Sequence, residues 1–200
     1  MKFIVSGFLP FRDQIINPSQ IIVNGLASGE DLETVVLPVV YEQSWNNLRS
    51  VLEKKRDLFL KEDFRIVLLG QAAGRNQVCL EKYAHNLADS SYSDEGGTVF
   101  LDRPIVEKKD LAFDSNLSLR ILVNRAKEKN LPIEISYSAG AYVCNYIYYH
   151  TLNWLNENKL PANAVFIHLP LVTDLDMEKQ KQTVDWILVQ LKSNLVARLR

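Results

Sequence analysis

The chain is poor in cysteine and histidine and has no long apolar stretch among its 200 residues. Its two cysteines, Cys79 and Cys144, are too few for the disulfide framework of a secreted domain and are not spaced as a metal-binding pair. The apolar opening run over residues 1–5 is too short for a signal peptide or a membrane span, and no other run approaches that length. These shortages predict a soluble cytoplasmic protein with reduced thiols.

The chain also lacks a dominant charge, because its formal net charge is −1 and acidic and basic residues are interspersed. A protein that binds nucleic acid usually has a basic face, so a nucleic-acid partner is not expected. The hydrophobic fraction of 47% is ordinary for a globular protein, and no repeat or linker interrupts the sequence. We therefore expect residues 1–200 to form a single α/β domain.

Short apolar runs alternate with segments of helical periodicity. Strands are predicted at residues 3–5, 34–40, 64–70, 133–136 and 164–169. The run at 64–70 is typical of a central strand, whereas Pro38 favours a sheet edge for its own strand. Five helices are predicted. The first follows an Asn17 cap with Pro18 at its first position, the second spans 41–59, and the third follows a cap at Asp114. The fourth is an amphipathic helix from the Cys144 segment to Leu155, and the fifth spans 177–199.

This alternation predicts a three-layer α/β/α sandwich with a mostly parallel, mixed central sheet. Residues 89–104 are polar and contain glycine, which indicates a loop or hairpin excursion from that fold. Predicted strands end at Gly7, Gly70, Ser136 and His168. Because ligands bind at the carboxyl ends of such strands, we expect one rim to collect residues 8–17, residues 71–75 and the Cys144 turn.

Cys144 is the first candidate for chemistry, because it follows Gly140 at the predicted start of a helix. The helix dipole and unpaired N–H groups favour an anion there, which predicts a thiolate near neutral pH. A nucleophilic cysteine also needs a base and a group that orients the base. Of the three histidines, His168 ends a buried strand on the expected rim, and Glu81 is a carboxylate flanked by apolar residues. From the residues alone, a packing role for Cys144 and His168 stays open.

Other chemistries have weaker signals. No Gly-x-Ser-x-Gly elbow occurs, and residues 70–75 match neither a phosphate loop nor a dinucleotide fingerprint. Glu81 and His85 are four residues apart, but their segment reads as extended, which spoils the helical spacing of a metal pair. We therefore expect no metal and no cofactor. A nucleoside- or phosphate-handling α/β enzyme remains a weaker alternative.

Four motifs along nearly the whole chain match those of one enzyme family. Residues 6–13 and 17–19 match T-G-F-x-P-F-G-G followed by N-P-[ST]. Residues 70–75 match G-x-x-[GAP]-G-R, and Glu81 begins a match to E-[RK]. Residues 136–145 match S-x-[ST]-A-G-x-[FY]-[LV]-C-N, and residues 166–170 match F-I-H-[VL]-P. In these motifs the chain resembles the pyrrolidone-carboxylate peptidases, also called pyroglutamyl peptidase I. The family's order of glutamate, cysteine and histidine is kept.

The resemblance implies a thiol hydrolase that removes N-terminal pyroglutamyl residues from peptides through a thioester. It makes Cys144 the nucleophile, His168 the proton carrier and Glu81 the group that orients His168. The same motif matches identify the substrate-binding residues as Phe8 and Phe11 on either side of the lactam ring, with Asn17, Gln71 and Tyr142 bordering the pocket. Family members assemble as homo-oligomers, so we expect a dimer or a tetramer, with residues 99–101 suited to an interface.

Two departures from the family pattern stand near the predicted site. Arg12 and Asp13 replace two glycines, and Ser91 replaces an arginine of the excursion. These changes motivate an alternative in which the chain is a catalytically weak or inactive homologue that binds pyroglutamyl or other lactam groups.

Overall fold

A computed structural model describes residues 1–193. The strands are β1 (Lys2–Phe8), β2 (Leu32–Leu37), β3 (Phe64–Gln71), β4 (Val78–Glu81), β5 (Tyr83–His85), β6 (Ala112–Asp114), β7 (Ile133–Ser136) and β8 (Asn163–Leu169). The helices are α1 (Pro18–Gly25), α2 (Tyr41–Lys54), α3 (Arg56–Phe59), α4 (Leu119–Glu128), α5 (Val143–Glu157) and α6 (Met177–Leu191). No helix within this part of the chain has the length and apolar character needed to cross a membrane.

Six strands form one sheet in the order β2-β1-β3-β8-β4-β7, and β5 pairs with β6 in a separate ladder. All neighbours in the large sheet are parallel except β4 and β8, which are antiparallel. The predicted mixed, mostly parallel sheet is confirmed. Every residue of β3 is buried, as expected for a central strand, and β2 lies at an edge, as Pro38 suggested.

Two apolar cores lie on opposite faces of this sheet, because successive residues of a strand point to opposite sides. Ile66 and Leu68 of β3 belong to the core that contains α2, α3 and α5. Val67 and Leu69 belong to the core that contains α1, α4 and α6. Helices therefore cover both faces, which confirms the three-layer sandwich.

We expected β7 to end, at Ser136, on the same rim of the sheet as His168. The structure shows that β7 runs in the opposite direction to β8. The antiparallel step from β8 to β4 reverses β4 and β7, so that Ser136 pairs with Glu81, which in turn pairs with Phe166. Ser136 therefore lies level with the middle of β8 and not at the carboxyl end of that strand. Residues 137–142 lead from Ser136 to α5. Strand direction depends on long-range pairing, about which the apolar pattern of a four-residue strand carries no information.

Three helix predictions are corrected in detail. Asp114 does not cap α4. It lies in β6, where it pairs with Tyr83 of β5, and its carboxylate binds Lys82. Ser118 is the residue that precedes the helix. Helix α5 is not amphipathic, since it packs against α2, β5, β6 and β8 and most of its residues are buried. Helix α6 ends at Leu191, and residues 194–199 of its predicted span, 177–199, lie outside the described residues.

The excursion, residues 89–104, contains no helix and only one isolated bridge, between Ala88 and Arg103. Backbone hydrogen bonds attach it to the rest of the fold, from the N–H of Asp89 to the carbonyl of Ala141 and from the N–H of Glu95 to the carbonyl of Val39, each at 3.0 Å. The excursion is therefore joined to the segment before α5 and to the segment after β2.

Candidate active site

Cys144 is the second residue of α5, so the predicted thiol at a helix start is present. Tyr142 precedes the helix in an extended conformation, and within residues 1–193 its side chain makes no capping hydrogen bond. The first N–H groups of a helix have no partner inside the helix. An oxygen that gained negative charge beside the Cys144 sulfur would therefore meet backbone donors that no side-chain cap occupies.

Gly70, on β3, leaves the space that the Cys144 side chain needs. A Cβ atom at Gly70 would lie 2.9 Å from Sγ of Cys144 and 2.7 Å from Cζ of Phe166, which is too close for any other residue without rearrangement. Gly70 also pairs in register with His168 on β8. The same two strands thus bring the thiol and the imidazole to one part of the sheet.

His168 and Glu81 form a buried pair behind the thiol. Their relative exposures are 4% and 0%, and Nδ1 of His168 lies 2.8 Å from Oε1 of Glu81. An ionised carboxylate can only accept a hydrogen bond, so Nδ1 donates, and in the neutral imidazole Nε2 is then the nitrogen without a proton. Nε2 is therefore the nitrogen that can accept a proton.

Arg75 is a further member of this site to which the sequence reasoning gave no role. Its Nη2 lies 3.5 Å from the same Glu81 oxygen that accepts from His168, and 3.1 Å from Oγ of Ser136. Oε2 of Glu81 is buried and has no hydrogen-bond partner in residues 1–193. One carboxylate oxygen is thus shared by a guanidinium and an imidazole. The only signal in the sequence was that Arg75 fills the arginine position of the glutamate motif.

The surroundings of Cys144 disfavour the thiolate that the helix start was expected to favour. Burial, and secondly the negative charge of Glu81, raise the pKa of Cys144 to about 12. A hydrogen bond from the backbone N–H of Cys144 acts in the opposite direction but is the smallest of these effects. Loss of water around the sulfur therefore outweighs the helix start, and the thiol needs a base to remove its proton.

A cavity of about 120 Å³ opens beside Cys144 and His168. All five predicted substrate-binding residues line it: Phe8, Phe11, Asn17, Gln71 and Tyr142. The structure adds Val39, Ala139 and Val143, which the sequence reasoning did not identify because ordinary apolar residues give no local signal. Glu81 does not line the cavity and stands behind His168.

Two of the lining residues are held by a small polar network at the start of α1. Oδ1 of Asn17 accepts hydrogen bonds from the backbone N–H of Ser19 at 3.0 Å and from its hydroxyl at 2.7 Å, which confirms Asn17 as the helix cap. The hydroxyl of Ser19 accepts the backbone N–H of Phe8 at 2.9 Å. Nδ2 of Asn17 donates to the carbonyl of Leu9 at 3.1 Å. This network fixes the chain beside the cavity.

The remaining cysteine and histidines do not line the cavity, although Cys79 accepts a hydrogen bond from Arg75 at 3.6 Å. Cys79 is buried, donates to Glu134 at 3.2 Å, and has a pKa that burial raises to about 12. His150 stacks on Trp45 in the core side of α5, and burial lowers its pKa to about 4. His85 contacts the Tyr137 carbonyl at 3.2 Å. The described part of the chain contains no group of three or more histidine, cysteine or acidic residues that could hold a metal ion.

A thiol and a carboxylate-bound imidazole thus meet at one small cavity. The sequence also matches a known protein family over almost its full length. A sequence profile described as pyroglutamyl peptidase matches residues 1–198. The chain belongs to the pyroglutamyl peptidase family. Among curated relatives, the pyrrolidone-carboxylate peptidase of Thermosipho melanesiensis is 32% identical over 183 residues, covering 90% of this chain and 88% of that protein.

Solved structures of the family have the same fold. The pyrrolidone carboxyl peptidase of Fervidobacterium islandicum superposes with a TM-score of 0.83 at 30% identity, covering 96% of this chain and 98% of that one. A mutant pyrrolidone carboxyl peptidase of Pyrococcus furiosus gives a TM-score of 0.84 at 29% identity, covering 96% and 99%. The family resemblance inferred from the motifs is confirmed.

Proposed function

We propose that this family member is a cysteine peptidase that removes N-terminal pyroglutamyl residues from peptides through a thioester. The observation that supports this most is the shared cavity of Cys144 and His168, with Glu81 bound to the far nitrogen of the imidazole at 2.8 Å. Nucleophile, base and orienting carboxylate are the three parts of a triad, which is recognised by geometry and role.

In the first step Cys144 attacks the carbonyl carbon that joins pyroglutamate to the next residue. Nε2 of His168 removes the thiol proton as the carbon–sulfur bond forms, since the thiol is neutral beforehand. The oxygen of the tetrahedral intermediate gains negative charge, which the N–H groups at the start of α5 stabilise. Glu81 stabilises the imidazolium that forms.

The intermediate then collapses. The carbon–nitrogen bond breaks, His168 returns its proton to the departing amine, and the pyroglutamyl group stays on Cys144 as a thioester. Water attacks the thioester with His168 again as the base, and the products are free pyroglutamate and the regenerated thiol. No oxidant, metal or cofactor enters either step.

The size and lining of the cavity support a small, uncharged lactam as the group that it holds. A cavity of about 120 Å³ is close to the roughly 150 Å³ that accommodates a benzene ring in a protein interior. Phe8 and Phe11 offer aromatic faces, and Gln71 offers an amide group that can bond to the lactam N–H and C=O. Asn17 can offer only the second hydrogen of Nδ2, because its Oδ1 already accepts from Ser19. No carboxylate among the described residues lines this cavity, so the cavity offers nothing to the ammonium group of an ordinary N-terminus.

We assign Arg75 a positioning role in this mechanism. It does not line the cavity, and it acts through Glu81, whose Oε1 it approaches at 3.5 Å. A positive charge there favours the ionised carboxylate that keeps His168 in the tautomer with a free Nε2. Its bond to Ser136 also fixes it against the neighbouring strand.

The activity is tested by release of a fluorescent amine from pyroglutamyl amide, with the prolyl amide as the matched control. The proline ring has the same size but carries a cationic nitrogen and lacks the lactam oxygen. We expect turnover of the pyroglutamyl compound and none of the prolyl one. Calorimetric binding of a lactam without any detectable turnover would instead establish the inactive binding homologue.

We also propose that the chain works in the cytoplasm as a homo-oligomer. Both cysteines are free thiols, which suits a reducing compartment. Val99 and Leu101 are 45% and 66% exposed, whereas Phe100 packs against Tyr41 with ring centroids 4.7 Å apart, so only the two aliphatic residues of the expected interface segment are open to a partner. Light scattering that gives a monomer at micromolar concentration would contradict the assembly, and fractionation tests the compartment.

A further inference from the structure

The mouth of the cavity has one cation that the mechanism does not use. Arg12 follows Phe11, and its guanidinium carbon lies 4.2 Å from the ring centroid of Tyr92, 5.9 Å from that of Tyr142 and 6.0 Å from that of Phe11. Phe11 and Tyr142 line the cavity and are only partly buried, so they mark its outer end. Aromatic faces hold a guanidinium in place without neutralising its charge.

The guanidinium has no carboxylate partner within residues 1–193, and its N–H groups make no hydrogen bond there. The nearby acidic side chains accept backbone N–H groups or face solvent, and none of them pairs with the guanidinium within residues 1–193. Glu95 accepts the backbone N–H of Arg12 at 3.0 Å, and Asp94 accepts the backbone N–H groups of Tyr41, Gly96 and Thr98. Asp89 accepts the backbone N–H of Asp102. Asp13, next in sequence, is exposed to solvent.

The backbone of Arg12 is strained, so an arginine at this position costs conformational free energy that a glycine would not. Its φ is 54°, a left-handed conformation that glycine adopts freely and that costs other residues about 1–2 kcal/mol. Such outliers persist where the surroundings hold them and often stand at functional sites. Here the strained residue presents an unpaired cation beside the outer end of the cavity.

We propose that Arg12 is a specificity-determining residue that favours peptides with an acidic residue directly after pyroglutamate. This inference rests on the proposed function. The cavity accommodates one small ring, so the remainder of the peptide emerges past Phe11 and Tyr142. One extended residue advances about 3.5 Å, which brings the side chain of the next residue within reach of a guanidinium about 6 Å from these two rings. A carboxylate there forms a charge-assisted pair with it.

The test compares kcat/KM for three tripeptide amides, pyroglutamyl-Glu-Ala-amide, pyroglutamyl-Gln-Ala-amide and pyroglutamyl-Lys-Ala-amide. Glutamate and glutamine have nearly the same shape, so their ratio isolates the charge. The unmodified protein should prefer the Glu peptide over the Gln peptide by roughly fivefold, the range of a partly exposed ion pair, and should disfavour the Lys peptide. Arg12→Gln should bring the ratio close to one, and Arg12→Lys should retain a preference.

Arg103→Gln is the matched control, because Arg103, in the excursion, is also an exposed arginine and its guanidinium carbon lies 4.6 Å from the centroid of the Phe100 ring, which does not line the cavity. Its Glu-to-Gln ratio should equal that of the unmodified protein. Equal cleavage of all three peptides, or an unchanged ratio in Arg12→Gln, would overturn the role of Arg12 and leave the proposed activity intact. Cleavage of none of them by the unmodified protein would overturn the proposed function itself.

Discussion

Nδ1 of His168 donates to Oε1 of Glu81 over 2.8 Å, and both side chains are buried. This contact joins β8 to β4 through the single antiparallel pairing of the sheet. It leaves the other imidazole nitrogen free on the side of the cavity that Cys144 also lines. The proposed mechanism depends on this one relationship, because a neutral thiol reacts only if a correctly oriented base accepts its proton.

Glu81→Gln should lower kcat by about 10³ to 10⁴-fold, because an amide can donate to Nδ1 and so stabilise the wrong imidazole tautomer. The measurement is steady-state hydrolysis of a pyroglutamyl amide, with circular dichroism to verify the fold. Glu134→Gln is the matched control, since Glu134 accepts from Cys79 and does not contact His168. A Glu81→Gln variant within tenfold of the unmodified rate would contradict the orienting role.

Arg75→Gln should lower kcat by roughly 10- to 100-fold and leave KM within about twofold, because Arg75 acts on Glu81 and not on the substrate. Arg75→Lys should recover part of the loss, since it keeps the charge without the planar fork. Arg120→Gln, which removes an exposed arginine near Tyr137, should change neither constant. A large rise in KM with unchanged kcat would instead point to direct substrate contact.

Gly70→Ala should destabilise the protein by about 1–3 kcal/mol and lower kcat at least tenfold, because the new methyl group meets both Phe166 and the Cys144 sulfur. Gly25→Ala is the control, because a Cβ there has no neighbour within 4 Å. Thermal unfolding and kinetics measure the two effects. Equal behaviour of the two variants would mean that the close approach at Gly70 is not what positions the thiol.

Alkylation of the free enzyme by iodoacetamide should become faster by about tenfold for each pH unit from 7 to 10, without levelling off. The reason is that the thiolate is the reactive form and the pKa of Cys144 is raised to about 12, so raising the pH increases the thiolate fraction throughout this range. A Cys79→Ser background leaves Cys144 as the sole thiol of the chain. A rate that reaches a plateau near pH 7 would reveal a preformed thiolate.

The sequence predicts the layers and most elements because their apolar periodicity is local, as the fully buried β3 illustrates. It does not predict the reversal of β7, which follows from the antiparallel pairing of Leu80 with Ile167. For the site, motif matches identify most of the residues that line the cavity but not Val39, Ala139 and Val143. They do not give the thiol pKa, because burial of Cys144 depends on how the whole of α5 packs. Arg75 and Arg12 gain meaning only from their distances to Glu81 and to the aromatic rim.

The most direct test of the central claim compares kcat/KM for a pyroglutamyl amide between Cys144→Ala and Cys79→Ser. Cys79 is the matched control because it is the other free cysteine, does not line the cavity, and has a pKa that burial likewise raises to about 12. A serine hydroxyl can reproduce its hydrogen bonds with Arg75 and Glu134. The account predicts a loss of at least a thousandfold in Cys144→Ala and a change of no more than about threefold in Cys79→Ser. A Cys144→Ala variant that keeps more than a tenth of the activity would contradict Cys144 as the nucleophile.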